Sequence, residues 1–65
     1  MQIILNGEMR DCHATTVLEL TSELGYTNKR IAVELNGEIV PKSQHATTPL
    51  AANDQLEIVV AVGGG

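Results

Sequence analysis

Sixty-five residues, a formal net charge of −4 and one aromatic side chain set narrow bounds on this protein. A chain of this length buries only about 60% of its unfolded surface, so we expect one compact domain without a deep catalytic cleft. The negative charge disfavours nucleic acids and anionic membranes as partners and favours basic proteins. The sequence shows neither a secretory leader nor an apolar stretch of the roughly 20 residues that span a bilayer, which predicts a cytoplasmic protein.

The first apolar segment predicts a β-hairpin. A strand over residues 1–5 is followed at once by Asn6-Gly7, and residues 8–12 form the returning strand. Asn-Gly between apolar segments favours a tight turn because both residues tolerate positive φ. Side chains alternate between the two faces of a strand, so we assign to the core the odd-numbered residues Met1, Ile3 and Leu5.

A helix is predicted over residues 17–24. Thr16 and Glu19 have the spacing of a capping box, in which each side chain accepts a hydrogen bond from a free backbone amide. Gly25 follows as a C-terminal stop, since it adopts left-handed geometry without strain. The apolar side chains of one helical stripe are those of Val17, Leu20 and Leu24.

A second hairpin is predicted after the helix. Residues 31–35 alternate between apolar and smaller or polar side chains, and Asn36-Gly37 then turns the chain into a short strand over residues 38–40. Pro41 ends that strand because it has no amide proton for the ladder. Residues 42–54 are predicted to form a polar, irregular connection, with Leu50 as a buried anchor.

The last and longest predicted strand covers residues 55–62. Alternation places Leu56, Ile58 and Val60 on one face and Glu57, Val59 and Ala61 on the other. The element order is therefore β-β-α-β-β-β. The economical arrangement pairs the last strand with the first, in a mixed sheet of about five strands with the helix on one face. This is an α+β fold of the β-grasp type, and we expect it to occupy residues 1–62 as a single domain.

Three glycines end the chain directly after this strand: Gly63, Gly64 and Gly65. Glycine loses the most conformational freedom on ordering, so we expect a flexible tail that can thread a narrow channel in a partner. Transfer of AMP from ATP would activate the carboxylate of Gly65, and attack by a persulfide would then leave a thiocarboxylate. The tail favours a carrier acted on by other proteins over an enzyme.

Several segments together carry a resemblance that spans the whole chain. They are Met1-Gln2-Ile3, Leu5-Asn6-Gly7-Glu8, Thr16-Val17, residues 32–42, residues 56–59 and the closing residues 61–65. In these segments the chain resembles the bacterial sulfur-carrier proteins of thiamin (thiazole) biosynthesis, which are ubiquitin-like β-grasp proteins. Where that family often has Gly-Asp before its last strand, this chain has Asn53-Asp54. Asparagine also tolerates left-handed geometry, so we expect the turn to form.

The resemblance implies a cycle with three partners. An E1-like adenylyltransferase activates Gly65 with ATP, a cysteine desulfurase or other persulfide donor supplies the sulfur, and thiazole synthase receives it. Gly63 and Gly64 enter the partner sites, and no cofactor is bound by the chain itself. Two alternatives share the activation chemistry: the small subunit of molybdopterin synthase, which is usually longer, and a ubiquitin-like modifier joined to lysines. A stand-alone enzyme is disfavoured because the sequence offers no nucleophile–base pair.

Other chemically interesting side chains favour structural roles. Cys12 ends a predicted strand with no basic group placed to lower its pKa, so we interpret it as a small core residue. His13 and His45 lack companion ligands at a credible spacing, and we therefore predict no metal site.

A docking surface is predicted on the face of the sheet opposite the core. We expect Ile4 to point outward beside Val59 and Ala61, forming an exposed apolar patch near the tail. Alternation puts Glu34 and Glu57 on the same face, where they would attract a basic rim of a partner.

Overall fold

The computed structural model describes residues 1–61, which form a five-stranded mixed sheet and one α-helix. The order of the strands in the sheet is β2-β1-β5-β3-β4, with β5 parallel to β1 and antiparallel to β3. This arrangement confirms the predicted β-grasp fold. The elements are β1 (Gln2–Leu5), β2 (Glu8–Asp11), α1 (Val17–Glu23), β3 (Ile31–Leu35), β4 (Glu38–Ile39), a 3-10 helix (Lys42–Gln44) and β5 (Gln55–Val60).

Both predicted Asn-Gly turns are present. Asn6 and Gly7 have φ angles of 51° and 82°, and Asn36 and Gly37 have φ angles of 52° and 87°. Positive φ at both central positions is the geometry of the tight hairpin turn that matches the twist of the flanking strands. The predicted turn before β5 is also confirmed, since Asn53 has a φ of 70°.

The N-terminus of α1 differs from the predicted capping box by one residue. The Thr16 side chain accepts a hydrogen bond from the Glu19 amide (3.2 Å), as predicted. The Glu19 carboxylate, however, accepts from the amide and the hydroxyl of Thr15, at 2.8 and 3.0 Å, rather than from the Thr16 amide. These hydrogen bonds, above all the one from the backbone amide, hold the pKa of Glu19 below its ordinary value.

α1 ends at Glu23, one residue before the predicted end, and the predicted stop Gly25 follows its C-cap Leu24. Gly25 has a φ of 85°, and its amide donates to the Ser22 carbonyl at 3.1 Å. The Tyr26 amide donates to the Thr21 carbonyl at 2.9 Å. This pair of bonds is a Schellman motif, which satisfies the last carbonyls of the helix and reverses the chain toward β3.

The core lies between α1 and one face of the sheet, and most of its side chains are aliphatic. Cys12 is 3% exposed and belongs to this core. Each large aliphatic side chain that is fully buried contributes about 1.5–3 kcal/mol relative to an exposed one. The five largest fully buried side chains are those of Ile3, Val17, Leu20, Val33 and Leu56.

Met1, which alternation assigns to the core, and Val60, which it places on the face of Leu56 and Ile58, are both exposed. Met1 precedes β1 and is 41% exposed. Its charged amine needs polar partners, and it donates to the Cys12 carbonyl (3.1 Å) and lies 3.7 Å from the Asp11 carboxylate. Val60, at the end of β5, is 39% exposed and lies opposite Ile31 at the start of β3.

The connection predicted to be irregular contains the 3-10 helix Lys42–Gln44. Leu50 is buried, as predicted, and its amide donates to the Thr15 carbonyl at 2.9 Å. Thr16 and Pro49 also form an isolated β-bridge, which ties this connection to the start of α1. Within the described part of the chain, no helix has the length and apolarity needed to cross a membrane.

Candidate carrier terminus and docking face

The central strand β5 leads to the C-terminal glycines, and backbone bonds hold it on both sides. On the β1 side, the Asn6 amide donates to the Leu56 carbonyl at 2.8 Å. On the β3 side, the Asn36 amide donates to the Gln55 carbonyl at 2.7 Å, and the Ala61 amide donates to the Arg30 carbonyl at 2.8 Å. The position of the chain is therefore fixed as far as Ala61.

The side chain of Asn6 extends the contact between β1 and β5 beyond the end of β1. Its Oδ1 accepts from the Ile58 amide at 2.8 Å, and its Nδ2 donates to the Ile58 carbonyl at 3.3 Å. An asparagine side chain has a carbonyl acceptor and an NH₂ donor, so it can make the two hydrogen bonds that the backbone of a further β1 residue would make to β5. The first hairpin turn therefore also holds the strand that leads to the tail.

Asn36 in the second hairpin turn acts on the other side of β5. Its Oδ1 accepts from the Gln55 amide at 2.9 Å, and its Nδ2 donates to the Asp54 carboxylate at 3.1 Å. Sequence reasoning assigned both asparagines to turns and missed these long-range bonds. The recurrence of Asn at both turns was the available signal, because among Asn, Asp and Gly only Asn has a side chain that both donates and accepts.

The face of the sheet opposite the core, here called the open face, carries the predicted acidic pair. Glu34 of β3 lies directly opposite Glu57 of β5, as alternation predicts. Like charges in directly opposed positions of an antiparallel pair are destabilising. A partner that placed a cation between these carboxylates would relieve this repulsion.

Exposed apolar side chains lie next to the acidic pair on the open face. Val59 of β5 is 62% exposed and lies opposite Ala32, while Ile39 of β4 is 65% exposed and lies opposite Glu34. Ala61, one residue after β5, is also exposed. Large exposed apolar side chains bordered by charged groups are typical of a protein–protein contact surface.

The placement of Ile4 differs from the prediction. Ile4 is half-buried, and its neighbours across the strands are Gln55 in β5 and Met9 in β2, not Val59 or Ala61. A parallel strand rises about 3.3 Å per residue, so Val59 lies roughly 13 Å farther along β5. Alternation gives the face correctly, but it does not give the offset between two parallel strands. Ile4 and Val59 therefore do not form one continuous patch.

The histidines and the cysteine lie apart from this face. Cys12 is buried, with its Sγ 3.7 Å from the Ala14 carbonyl oxygen. His13 is exposed, and its Nε2 is 3.5 Å from the Asp11 carboxylate. His45 is buried beneath the connection after β4, where its Nε2 lies 3.1 Å from the Val40 carbonyl, and sequence reasoning missed this burial. Residues 1–61 contain no group of three or more His, Cys, Asp or Glu side chains that could hold a metal ion.

The residues predicted to carry the chemistry lie outside the described residues. These are Gly65, as the site of adenylation and thiocarboxylate formation, and Gly63 and Gly64, as the segment that enters partner sites. The predicted domain limit at Val62 also lies there. The described chain thus provides the strand that leads to the tail and the open face beside it.

Comparison with known proteins identifies a family. The model of the ThiS family matches residues 3–65. The chain is 33% identical to the sulfur carrier protein ThiS of Escherichia coli, with each chain covered completely. It is 29% identical to a crystal structure of the thiamine biosynthesis protein ThiS from Geobacter metallireducens, which superposes with a TM-score of 0.84 over all of both chains.

Other relatives are much longer. The chain is 46% identical to part of a thiazole synthase from Paramagnetospirillum magneticum and 39% identical to part of one from Magnetococcus marinus. All of this chain is matched in both comparisons, but it spans only 20% of the length of either relative. A ThiS-like segment therefore occurs within chains that are named thiazole synthase.

Proposed function

Because the chain belongs to the ThiS family, we propose that it is a sulfur carrier of thiamin biosynthesis that bears its sulfur on Gly65. The observation that carries this proposal is the family match over residues 3–65, which includes the terminal glycines as well as the β-grasp domain. The chain acts in the cytoplasm as a co-substrate of other enzymes and has no catalytic group of its own.

The carrier cycle begins with activation of the C-terminus. The Gly65 carboxylate attacks the α-phosphorus of ATP on an E1-like adenylyltransferase, and pyrophosphate leaves. The terminal sulfur of a persulfide, formed by a cysteine desulfurase or another donor, attacks the acyl carbon, and AMP leaves. A thiol then cleaves the resulting acyl disulfide, which releases the thiocarboxylate and leaves a disulfide on the donor side. The chain contributes an unhindered acyl carbon, because Gly65 has no side chain beside it.

Thiazole synthase is the proposed sulfur acceptor. The two long relatives support this assignment, since each is named thiazole synthase and contains a segment that is similar to this chain. Gly63 and Gly64 would let the tail enter a narrow partner site, because neither residue presents a side chain to its walls.

The open face is the proposed docking surface for the activating partner. Glu34 and Glu57 would meet a basic rim, and Val59 and Ala61 would meet an apolar centre close to the tail. Ile4 belongs to the same face at a greater distance from the tail. A charged rim of this kind accelerates encounter more than it adds affinity, so its contribution falls as salt increases.

Intact-mass analysis tests the carrier chemistry. The chain is incubated with ATP, sulfide and an adenylyltransferase that acts on ThiS-family proteins, and the control is a chain whose Gly65 carboxylate is blocked as a carboxamide. We expect one oxygen to be replaced by sulfur at the C-terminus of the full chain and no change in the control. An unmodified full chain with an adenylyltransferase that modifies another ThiS protein would contradict the proposal.

A second assay separates the acceptors. The thiocarboxylated chain is mixed with thiazole synthase or with the large subunit of molybdopterin synthase. We expect sulfur transfer only to the thiazole product. Transfer to the molybdopterin precursor, or attachment of Gly65 to lysines of proteins in the mixture, would favour one of the two alternatives that share the activation step.

A further inference from the structure

A groove beside α1 concentrates the positive charge of an otherwise acidic chain. The groove has a volume of about 380 Å³ and lies between α1, the segment after it, and the 3-10 helix with the residues that follow. The whole sequence contains four Lys and Arg residues and has a net charge of −4. Three of these four cations line the groove: Lys29, Arg30 and Lys42. We call this feature the basic groove.

Backbone hydrogen bonds fix the walls of the basic groove. The Leu18 amide donates to the His45 carbonyl at 2.9 Å, which joins α1 to the residues after the 3-10 helix. The Tyr26 amide donates to the Thr21 carbonyl at 2.9 Å, and the Lys29 amide donates to the Tyr26 carbonyl at 3.0 Å. These bonds build the opposite wall. The groove is thus formed before any ligand enters it.

The lining of the basic groove is mostly apolar between its cations, although Thr21, Thr27 and His45 also contribute to it. Leu18 lies in the exposed first turn of α1 and is 46% exposed. Tyr26 and Ile31 are partly buried and pack against the core with their inner surfaces. A volume of about 380 Å³ falls in the range of sites that accept small ligands or side chains. The groove therefore suits an apolar group that has negative charge beside it.

The cations of the groove remain available for a ligand. The ion pairs within residues 1–61 join Asp11 to the N-terminal amine and to His13, and they involve none of the three groove cations. Lys29, Arg30 and Lys42 are all exposed side chains at the rim. Long basic side chains of this kind keep their charge in water while their stems cover apolar surface.

We propose that the basic groove binds an acidic segment of a partner protein, with one apolar side chain inserted between flanking carboxylates. Three exposed cations around a mostly apolar lining match such a segment in charge and in apolar character. The open face is acidic and the groove is basic, so the two surfaces select partners of opposite charge. This inference does not rest on the sulfur-carrier function.

A peptide titration followed by NMR tests the proposal. The probe is an end-capped peptide in which one leucine is flanked on each side by two glutamates, and the isotope-labelled full chain is observed. We expect saturable shifts of the backbone amides of residues 26–31 and 42–46, with a dissociation constant of about 1 mM or tighter. Added salt should weaken binding.

Matched charge variants locate the site. Arg30→Gln and Lys42→Gln should each weaken binding about two- to fivefold, as expected for exposed ion pairs. Arg10→Gln makes the same charge change on β2, outside the groove, and should leave the affinity unchanged. Replacing the peptide leucine with serine should also weaken binding, because the apolar lining loses its contact.

Four results would overturn the proposal. The first is the absence of saturable shifts, and the second is an equal effect of Arg10→Gln and Arg30→Gln. The third is the same set of shifts with inorganic phosphate alone, which would indicate a small-anion site. The fourth is the appearance of these shifts as the chain is concentrated without peptide, which would assign the groove to a second copy.

Discussion

The two faces of β5 differ in what they contact, although they alternate along the same six residues. On the core face, Leu56 and Ile58 are 1% and 6% exposed. On the open face, Glu57 is exposed and Val59 is 62% exposed. The side chains on the core face pack into the hydrophobic core, on which the stability of a small domain depends. The side chains on the open face, both apolar and charged, are exposed to water. The same strand therefore contributes to the core with one face and to the proposed docking surface with the other.

This comparison shows where substitutions should separate folding from function. A domain of this size has a stability on the order of 5 kcal/mol, so a single core defect removes a large part of it. A change on the open face alters few intramolecular contacts. The following predictions use that difference, and the largest expected effect is given first.

Leu56→Ala and Val59→Ala compare the two faces directly. Leu56→Ala should lower the free energy of unfolding by about 2–5 kcal/mol, because it leaves a cavity in the core. Val59→Ala should change it by less than about 0.5 kcal/mol, because Val59 is already in water. Urea denaturation measures both. Equal losses would show that the open face is packed, contrary to the structure.

Asn6→Gly tests whether the hairpin turn holds β5. Glycine accepts the φ of 51° at this position, so the turn survives while both side-chain bonds to Ile58 are lost. We expect a loss of about 1–2 kcal/mol and faster hydrogen exchange at the Ile58 amide. The control is Asn53→Gly, which makes the same change at a φ of 70° and should leave the Ile58 amide protected. Unchanged exchange in Asn6→Gly would contradict the role of this side chain.

The sequence predicted those parts of the fold that depend on local chemistry. Asn-Gly pairs set both turns, Thr16 and Gly25 set the ends of α1, and alternation gave β3 with its observed bounds. Each of these signals lies within a few residues of the structure that it specifies.

The features that the sequence did not reveal depend on distant contacts. The register of Ile4 against Gln55 joins segments about 50 residues apart, and periodicity contains no information on that offset. The burial of His45 depends on the fold of the connection after β4, which brings its Nε2 to the Val40 carbonyl. The basic groove likewise combines cations from two segments that only the fold brings together.

Glu57→Lys should affect stability and activation in opposite directions. It replaces the repulsion between Glu57 and Glu34 with attraction, which should stabilise the fold by about 0.2–1 kcal/mol. It should also slow adenylation about two- to tenfold at low salt, because the basic rim of the partner is now repelled. Glu8→Lys is the control, since Glu8 is paired with Leu5 and lies off the open face. An adenylation rate that is unchanged at all salt concentrations would rule out docking through Glu57.

The pH dependence of Glu19 should be the smallest effect. Hydrogen bonds from the Thr15 amide and hydroxyl lower the pKa of Glu19 below its ordinary value in the folded state, so they favour the charged carboxylate. The resulting stabilisation is complete above the unfolded pKa and is lost as pH falls through the folded pKa. Glu19→Gln should therefore flatten the acid side of the stability profile, whereas Glu23→Gln changes the same charge on α1 and is the control. An identical profile for Glu19→Gln and the unaltered chain would contradict this assignment.

The central claim is that Gly65 carries the sulfur that enters the thiazole ring. The most direct test loads the chain with isotopically heavy sulfide, removes the free sulfide, and adds thiazole synthase with its carbon substrates. Mass analysis of the product then reports the origin of its sulfur. The account predicts heavy sulfur in the thiazole, one atom for each thiocarboxylate consumed. A thiazole with light sulfur, or a thiocarboxylate that persists while thiazole forms, would contradict it.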